Sequence, residues 1–174
     1  YSVGVAMCDA VESVTGHRPG LKWINDLVIG AKKVGGILTE MSLTPDGFVD
    51  YALIGIGINC KDTIPPELIE IATALDREAG KEISVATLAA ALLRELHTLS
   101  CTIFSEKEAL LDRYRTFCVT IGKEVLLIRG EEKRQAFALD ITDDGGLLVK
   151  FPDGTQDIIS SGEASVRGLF GYSS

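Results

Sequence analysis

The chain has 174 residues, 46% of them apolar and 24% charged, which suits one medium domain, or one domain with a small appendage, and excludes a disordered tail. A net charge of -8 argues against non-specific nucleic-acid binding, since a phosphate backbone is drawn to surplus Lys and Arg, although a small anion can still find a local cationic spot. Cys8, Cys60, Cys101 and Cys118 contain no CxxC pair and His17 and His97 stand alone, so a zinc knuckle, a dithiol redox motif and a protein-built metal site are all unexpected.

In chain order, Val3, Val5, Ala6, Ala10, Val11 and Val14 recur at helical spacing and predict an amphipathic helix ending near Thr15, with Gly16 as its stop. Two short β pieces follow, Leu21 to Trp23 and Leu27 to Ile29, around an Asn25-Asp26 turn. Gly30-Ala31 then leads into a strand over 33–41, which a hairpin at Asp46-Gly47 connects to a returning strand over 48–59. Pro65-Pro66 marks a boundary, after which 67–80 has a helical pattern stopped by Gly80. Ser84 is a plausible N-cap for a helix with a wide apolar stripe, and 106–117 is a further helical piece. The helices are expected to cover one face of the sheet. From Cys118 the pattern changes to short β runs, EVLLI, RQAFALDIT, LLVKF and TQDIISSG, separated by GEEK, DDGG and PDGT, which predicts a small antiparallel barrel or sandwich. The expected division is therefore 1–117 and 118–174. No apolar run reaches the roughly 18 residues of a membrane-spanning helix, and no signal peptide is recognisable. Dispersed cysteines suit small buried residues of a reducing cytoplasm, and a chain opening on Tyr1 in helical sequence is expected to be a fragment.

Two stretches could carry chemistry. In GIGIN, 55–59, a period of two sends Ile56 and Ile58 to one face and Gly55, Gly57 and Asn59 to the other, leaving a bare strand face on which a ligand could lie. A bulge or tight helix packing would also explain the glycines. A dinucleotide-binding GxGxxG is excluded, because the third glycine is absent and Pro-Pro follows instead of a helix. The second stretch is KWINDLVIGAKKVGGIL, 22–38. Its Asn25-Asp26 pair could serve only the turn, and Lys22 taken alone reads as solvated. Lys32 and Lys33 are adjacent, so in an extended strand at most one can point to a given ligand. Gly35 and Gly36 bare this strand too, so a lysine at the mouth would give an apolar trough with a cationic end, suited to an apolar ligand ending in a carboxylate or phosphate.

KWINDLVIGAKKVGGILTE resembles the KWPNDL and Lys-aliphatic-small-GIL segment of bacterial biotin protein ligases. GIGIN resembles their strand motif, and SGEASVRGLFGY resembles the end of their SH3-like C-terminal domain, all three in the family's order. The fold this implies is α+β: part of a class II synthetase-like catalytic domain, a mixed or antiparallel sheet covered by helices, followed by a small SH3-like β-barrel. The activity it implies has two steps. Biotin and MgATP give biotinyl-5′-AMP and pyrophosphate, and the acyl group then passes to a lysine of the biotin carboxyl carrier domain of a carboxylase.

By the same resemblance Lys33 contacts the biotin carboxylate and the adenylate phosphate, and Asp26 assists the attacking lysine. Asn25 and Asn59 lie near the adenine and the metal-phosphate region, and biotin packs on Gly55 and Gly57 beside Gly36. Arg167 belongs to the nucleotide- or acceptor-binding part of the second domain. Magnesium would arrive with ATP, a homodimer is compatible with the family, and nucleic acid would be a partner only through an upstream DNA-binding domain. Ile24 departs from the family's proline, for which a small effect on turn rigidity is expected. No GRGRRG-like adenylate loop occurs in the sequence, so the chain alone is expected to be a poor catalyst. A lipoate ligase-like enzyme and a non-catalytic biotin-sensing module are the alternatives.

Overall fold

A computed structural model describes residues 1–160 and 165–168. The expected first helix is present as α1, Ser2–Thr15, closed by Gly16 in the left-handed conformation (φ 77°), whose N–H donates to the Glu12 carbonyl. Four antiparallel strands follow in simple order, β1 (Gly20–Lys22), β2 (Asp26–Ile29), β3 (Lys32–Leu43) and β4 (Val49–Ile58). The β3–β4 turn has Gly47 at φ 83°, and its N–H donates to the Thr44 carbonyl.

The helical pattern over 67–80 is not one helix. Only a 3-10 turn at Pro66–Leu68 and the short α2, Leu75–Ala79, form, because the backbone between them is captured by β3. Lys33 N–H donates to the Ile71 carbonyl and Thr73 N–H to the Lys33 carbonyl, each bond replacing one a helix would have needed. The β-branched residues Ile71 and Thr73 suit such an extended strap.

Helix α3, Val85–Thr102, is capped as expected, with Ser84 Oγ accepting from the Thr87 N–H. Helix α4 spans Lys107–Phe117. The helices do not line up on one sheet face as expected: α1 packs on β1 and β2, and α3 packs on α1. That double coverage explains why α1 is buried on nearly every side, whereas α3 fully buries only Leu88, Ala91 and Leu99. Gly4 lets α1 approach closely, since a Cβ there would stand 3.0 Å from Leu21.

The second sheet is antiparallel, ordered β8 (Gln156–Ile159), β7 (Leu147–Lys150), β6 (Glu132–Ile141), β5 (Glu124–Arg129) and β9 (Ser165–Gly168). A single apolar core runs through both sheets, from Val5, Leu21 and Trp23 to Leu127, Leu147 and Phe151. Of the four cysteines only Cys8 and Cys118 are buried, while Cys101 on α3 is exposed. Burial pushes the Cys8 thiol up to about 12, with nearby Asp9 adding to the shift, so it is a packing residue and not a nucleophile. Among the described residues no helix is long and apolar enough to cross a membrane. The outer half of the β3–β4 hairpin is uncovered, leaving Met41, Phe48, Tyr51 and Leu53 exposed.

Candidate functional site

The two stretches singled out in the sequence meet in one open cleft of about 690 Å³, lined by Asn25, Lys33, Gly36, Gly55, Gly57 and Asn59 together with neighbouring residues of β3 and β4. Its floor follows from strand register. Gly36 lies opposite Gly57 and Leu38 opposite Gly55, so one cross-strand pair has no side chain at all. Ile56 and Ile58 turn to the other face and pack against the core, as the period of two requires.

The glycines are not equivalent. A Cβ on Gly57 would meet nothing within 4 Å, so its missing side chain serves the cleft and not the packing. Gly55 is also roomy, with Leu38 atoms at 3.7 and 3.8 Å. A Cβ on Gly36 would press on Lys33 Nζ at 3.2 Å and Asp26 Oδ1 at 3.3 Å. Gly35 faces the strands themselves, where a Cβ would sit 2.7 Å from the Gly57 carbonyl oxygen. Gly35→Ala is therefore expected to cost about 1–3 kcal/mol, as overpacking does, and Gly57→Ala almost nothing. Urea unfolding of both variants checks this, and equal midpoints would contradict it.

Strict alternation along β3 would put Lys33 on the core side with Gly35 and Ile37. A bulge prevents this: Leu27 pairs with Gly35 but Val28 with Lys33, leaving Val34 as the extra residue. The bulge resets the faces, and Lys33 Nζ reaches Asp26 Oδ1 at 2.5 Å on the cleft side of Gly36. This pair is only partly in water, its side chains 37% and 14% exposed, so its attraction is stronger than that of a surface pair. Lys22 is not solvated as its isolated reading suggested. It is 8% exposed, because it lies opposite Asp26 in the β1–β2 ladder beside the buried Trp23.

Both asparagines are anchored through their amide nitrogens, Asn25 Nδ2 to the Ile37 carbonyl at 2.8 Å and Asn59 Nδ2 to the Thr73 carbonyl at 3.1 Å. Thr73 was not legible as a site residue. It is wholly buried, its N–H and carbonyl hold Lys33 and Asn59 respectively, and its Oγ1 donates to Glu78 Oε1 at 2.6 Å. Sequence could point to it only through the Ile-Ala-Thr break in an otherwise helical pattern. The Trp23–Ile24 peptide at the expected turn is cis. Arg167 falls in β9 opposite Leu126, but its side chain and the motif residues 161–164 and 169–172 of SGEASVRGLFGY lie outside the described residues. The structure thus gathers Lys33, Asp26, Asn25, Gly36, Gly55, Gly57 and Asn59 in one place.

Fold and site together define a class: an α+β protein with an open cleft whose glycine floor ends at a lysine–carboxylate pair. Residues 1–59 match the Biotin/lipoate A/B protein ligase family, and residues 120–167 match the Biotin protein ligase C terminal domain. The bifunctional ligase/repressor BirA of Bacillus subtilis (strain 168) is 32% identical over 167 residues, which are 90% of this chain and 49% of that protein. BirA of Escherichia coli (strain K12) is 30% identical over 169 residues, 95% of this chain and 51% of that protein. Among solved structures, the biotin protein ligase of Aquifex aeolicus in complex with biotin and ATP superposes with a TM-score of 0.80 at 30% identity, covering 95% of this chain and 69% of that one. Its apo structure superposes with a TM-score of 0.84 at 28% identity, covering 96% and 73%. The chain belongs to the biotin protein ligase family. It spans about half the length of the BirA relatives it matches.

Proposed function

We propose that this chain supplies the floor and the cationic end of the acyl-adenylate site of a biotin protein ligase, acting on biotin, ATP and a lysine of a biotin carboxyl carrier domain. The observation that carries this reading is the side-chain-free Gly36–Gly57 pair with Lys33 Nζ beside it. An apolar bicyclic acid can lie on that floor with its carboxylate toward Lys33. The carboxylate oxygen then attacks the α-phosphorus of ATP, a new O–P bond forms, and the bond to pyrophosphate breaks. Lys33 offsets the charge that gathers on the phosphoryl oxygens at that point. In the second step the carrier's lysine amine attacks the acyl carbon, AMP leaves, and Asp26 is placed to take the proton.

Asn25 and Asn59, held by their backbone contacts, are assigned to the adenine and metal-phosphate end, Gly55 to the biotin floor, and Arg167 to the nucleotide or acceptor. Mg²⁺ would enter with ATP and neutralise the departing pyrophosphate. Residues 1–117 are taken as the C-terminal part of the catalytic domain and 118–174 as the C-terminal domain, a division that the separate matches over 1–59 and 120–167 support. The reading includes a cytoplasmic setting and leaves the exposed β3–β4 hairpin as the surface for any pairing of two copies. The C-terminal match favours biotin over lipoate as the acid.

Calorimetric titration tests the proposal. The chain is expected to bind biotin, and to bind biotinyl-5′-AMP more tightly because only the adenylate engages both the floor and the anion contacts. Binding of lipoyl-AMP alone would reverse the choice of acid, and binding of none of the three would overturn the reading.

A further inference from the structure

The β1–β2 turn, 23–25, carries Asn25 and leads directly into Asp26, the first residue of β2, and it joins strands of only three and four residues. Its own sheet steadies the far side, where the Asn25 carbonyl accepts from the Ile37 N–H and Asn25 Nδ2 donates to the Ile37 carbonyl. The near side is held by residues distant in sequence. Trp23 N–H donates to Thr120 Oγ1 at 2.9 Å, and its indole Nε1–H donates to the Gly145 carbonyl at 3.0 Å. Thus both donors of the residue two places before Asn25 are satisfied by residues 97 and 122 positions further along the chain.

The partners themselves are fixed. The segment around Thr120 runs beside β1, with Val119 N–H donating to the Leu21 carbonyl and Cys118 bridging Leu21. Gly20 makes this possible, since any Cβ there would collide with Val119. Thr120 is 5% exposed, so no water competes freely for its hydroxyl. Gly145 sits in the β6–β7 turn at φ 84°, a conformation that a residue with a side chain rarely adopts, and a Cβ would also meet the Tyr1 ring at 3.4 Å. The DDGG turn therefore does more than reverse the chain: it aims one carbonyl at Trp23. Tyr114 adds a third tie, its hydroxyl donating to the Ile24 carbonyl at 3.4 Å.

We propose that the segment leading into the second sheet and that sheet's β6–β7 turn act on the active site through Trp23, and that Thr120 and Gly145 are positioning residues for Asn25 and Asp26. This rests on the adenylate-site reading above for its consequence, but not for the grip itself. The glycine floor belongs to β3 and β4, outside the turn, so loosening Trp23 should affect the nucleotide end of the cleft and spare the biotin end.

The test uses Trp23→Phe, which keeps the ring and loses the indole donor, and Thr120→Val, which loses the acceptor. Both are expected to speed hydrogen exchange at residues 23–27. They should weaken biotinyl-5′-AMP binding by about fivefold, as loss of one buried hydrogen bond does, with biotin binding changed less than about twofold. Thr120→Ser should restore the wild-type values. Ile159→Val, a core change in β8 that removes neither hydrogen bond to Trp23, controls for general loosening and should leave adenylate binding alone. Equal losses for biotin and the adenylate, or an Ile159→Val chain as impaired as the two variants, would overturn the proposal. Unchanged exchange at 23–27 would overturn the grip itself, whereas a wild-type chain that binds neither ligand would overturn the functional reading instead.

Discussion

Gly57→Val is expected to leave the chain folded and to reduce biotin affinity by about two orders of magnitude, the upper range of the penalty for forcing extra carbons into an occupied space. The two halves of that expectation have separate causes. A Cβ at position 57 meets no atom within 4 Å, and valine is well suited to an extended strand, so the melting temperature should stay the same or rise slightly. The added isopropyl group would instead stand in the cleft between β3 and β4, where Gly36 opposite offers no side chain to yield. A ligand packed on that floor loses its seat. Calorimetry with biotin and thermal unfolding, run on the same preparation, separate the effects. Wild-type affinity in a folded Gly57→Val chain would move the ligand off this floor and remove the main support for the proposed function.

Lys33→Ala in the full-length enzyme is expected to slow adenylate formation in single turnover by about one to three orders of magnitude, the usual loss when a preorganised charge on a reacting phosphate is removed. Lys32→Ala should be far milder, because the bulge at Val34 gives the cleft face to Lys33. Equal losses for the two variants would mean that the register at the bulge is wrong, and a wild-type rate for Lys33→Ala would take that lysine out of the chemistry. The alanine variant also strips Asp26 of the partner at 2.5 Å. Lys33→Arg therefore belongs in the same experiment. It keeps the charge but changes its shape, and partial recovery would assign the loss to charge itself.

Local pattern made much of the fold legible. The α1 stop at Gly16, the Ser84 cap, the Gly47 hairpin and the alternating β runs after Cys118 depend on neighbours close in sequence, and each appears near its predicted place. The failed helix over 67–80 shows the limit. Its periodicity was real, but Lys33 offered the backbone of Ile71 and Thr73 a better set of partners from nearly forty positions away, and tertiary hydrogen bonds overrode local preference. The solvated reading of Lys22 failed for the same reason, as did the expectation that α3 would lie on the sheet rather than on α1.

The site divides along the same line. Residue types and alternation were enough to predict a bare glycine face with a lysine at its mouth, and the family motifs suggested the kind of acid proposed to lie there. Sequence could say that one of Lys32 and Lys33 faces the ligand, but simple alternation could not say which, since a single extra residue in a ladder inverts every face beyond it. The family motif had already pointed to Lys33, and the bulge supplies the physical reason; the distinction between Gly35 as a packing glycine and Gly57 as an open one, and the hold that Thr120 and Gly145 keep on Trp23, were decided only by the tertiary structure. Each depends on which backbone atom from a distant segment occupies the adjoining few ångströms, and no pattern within one segment carries that information.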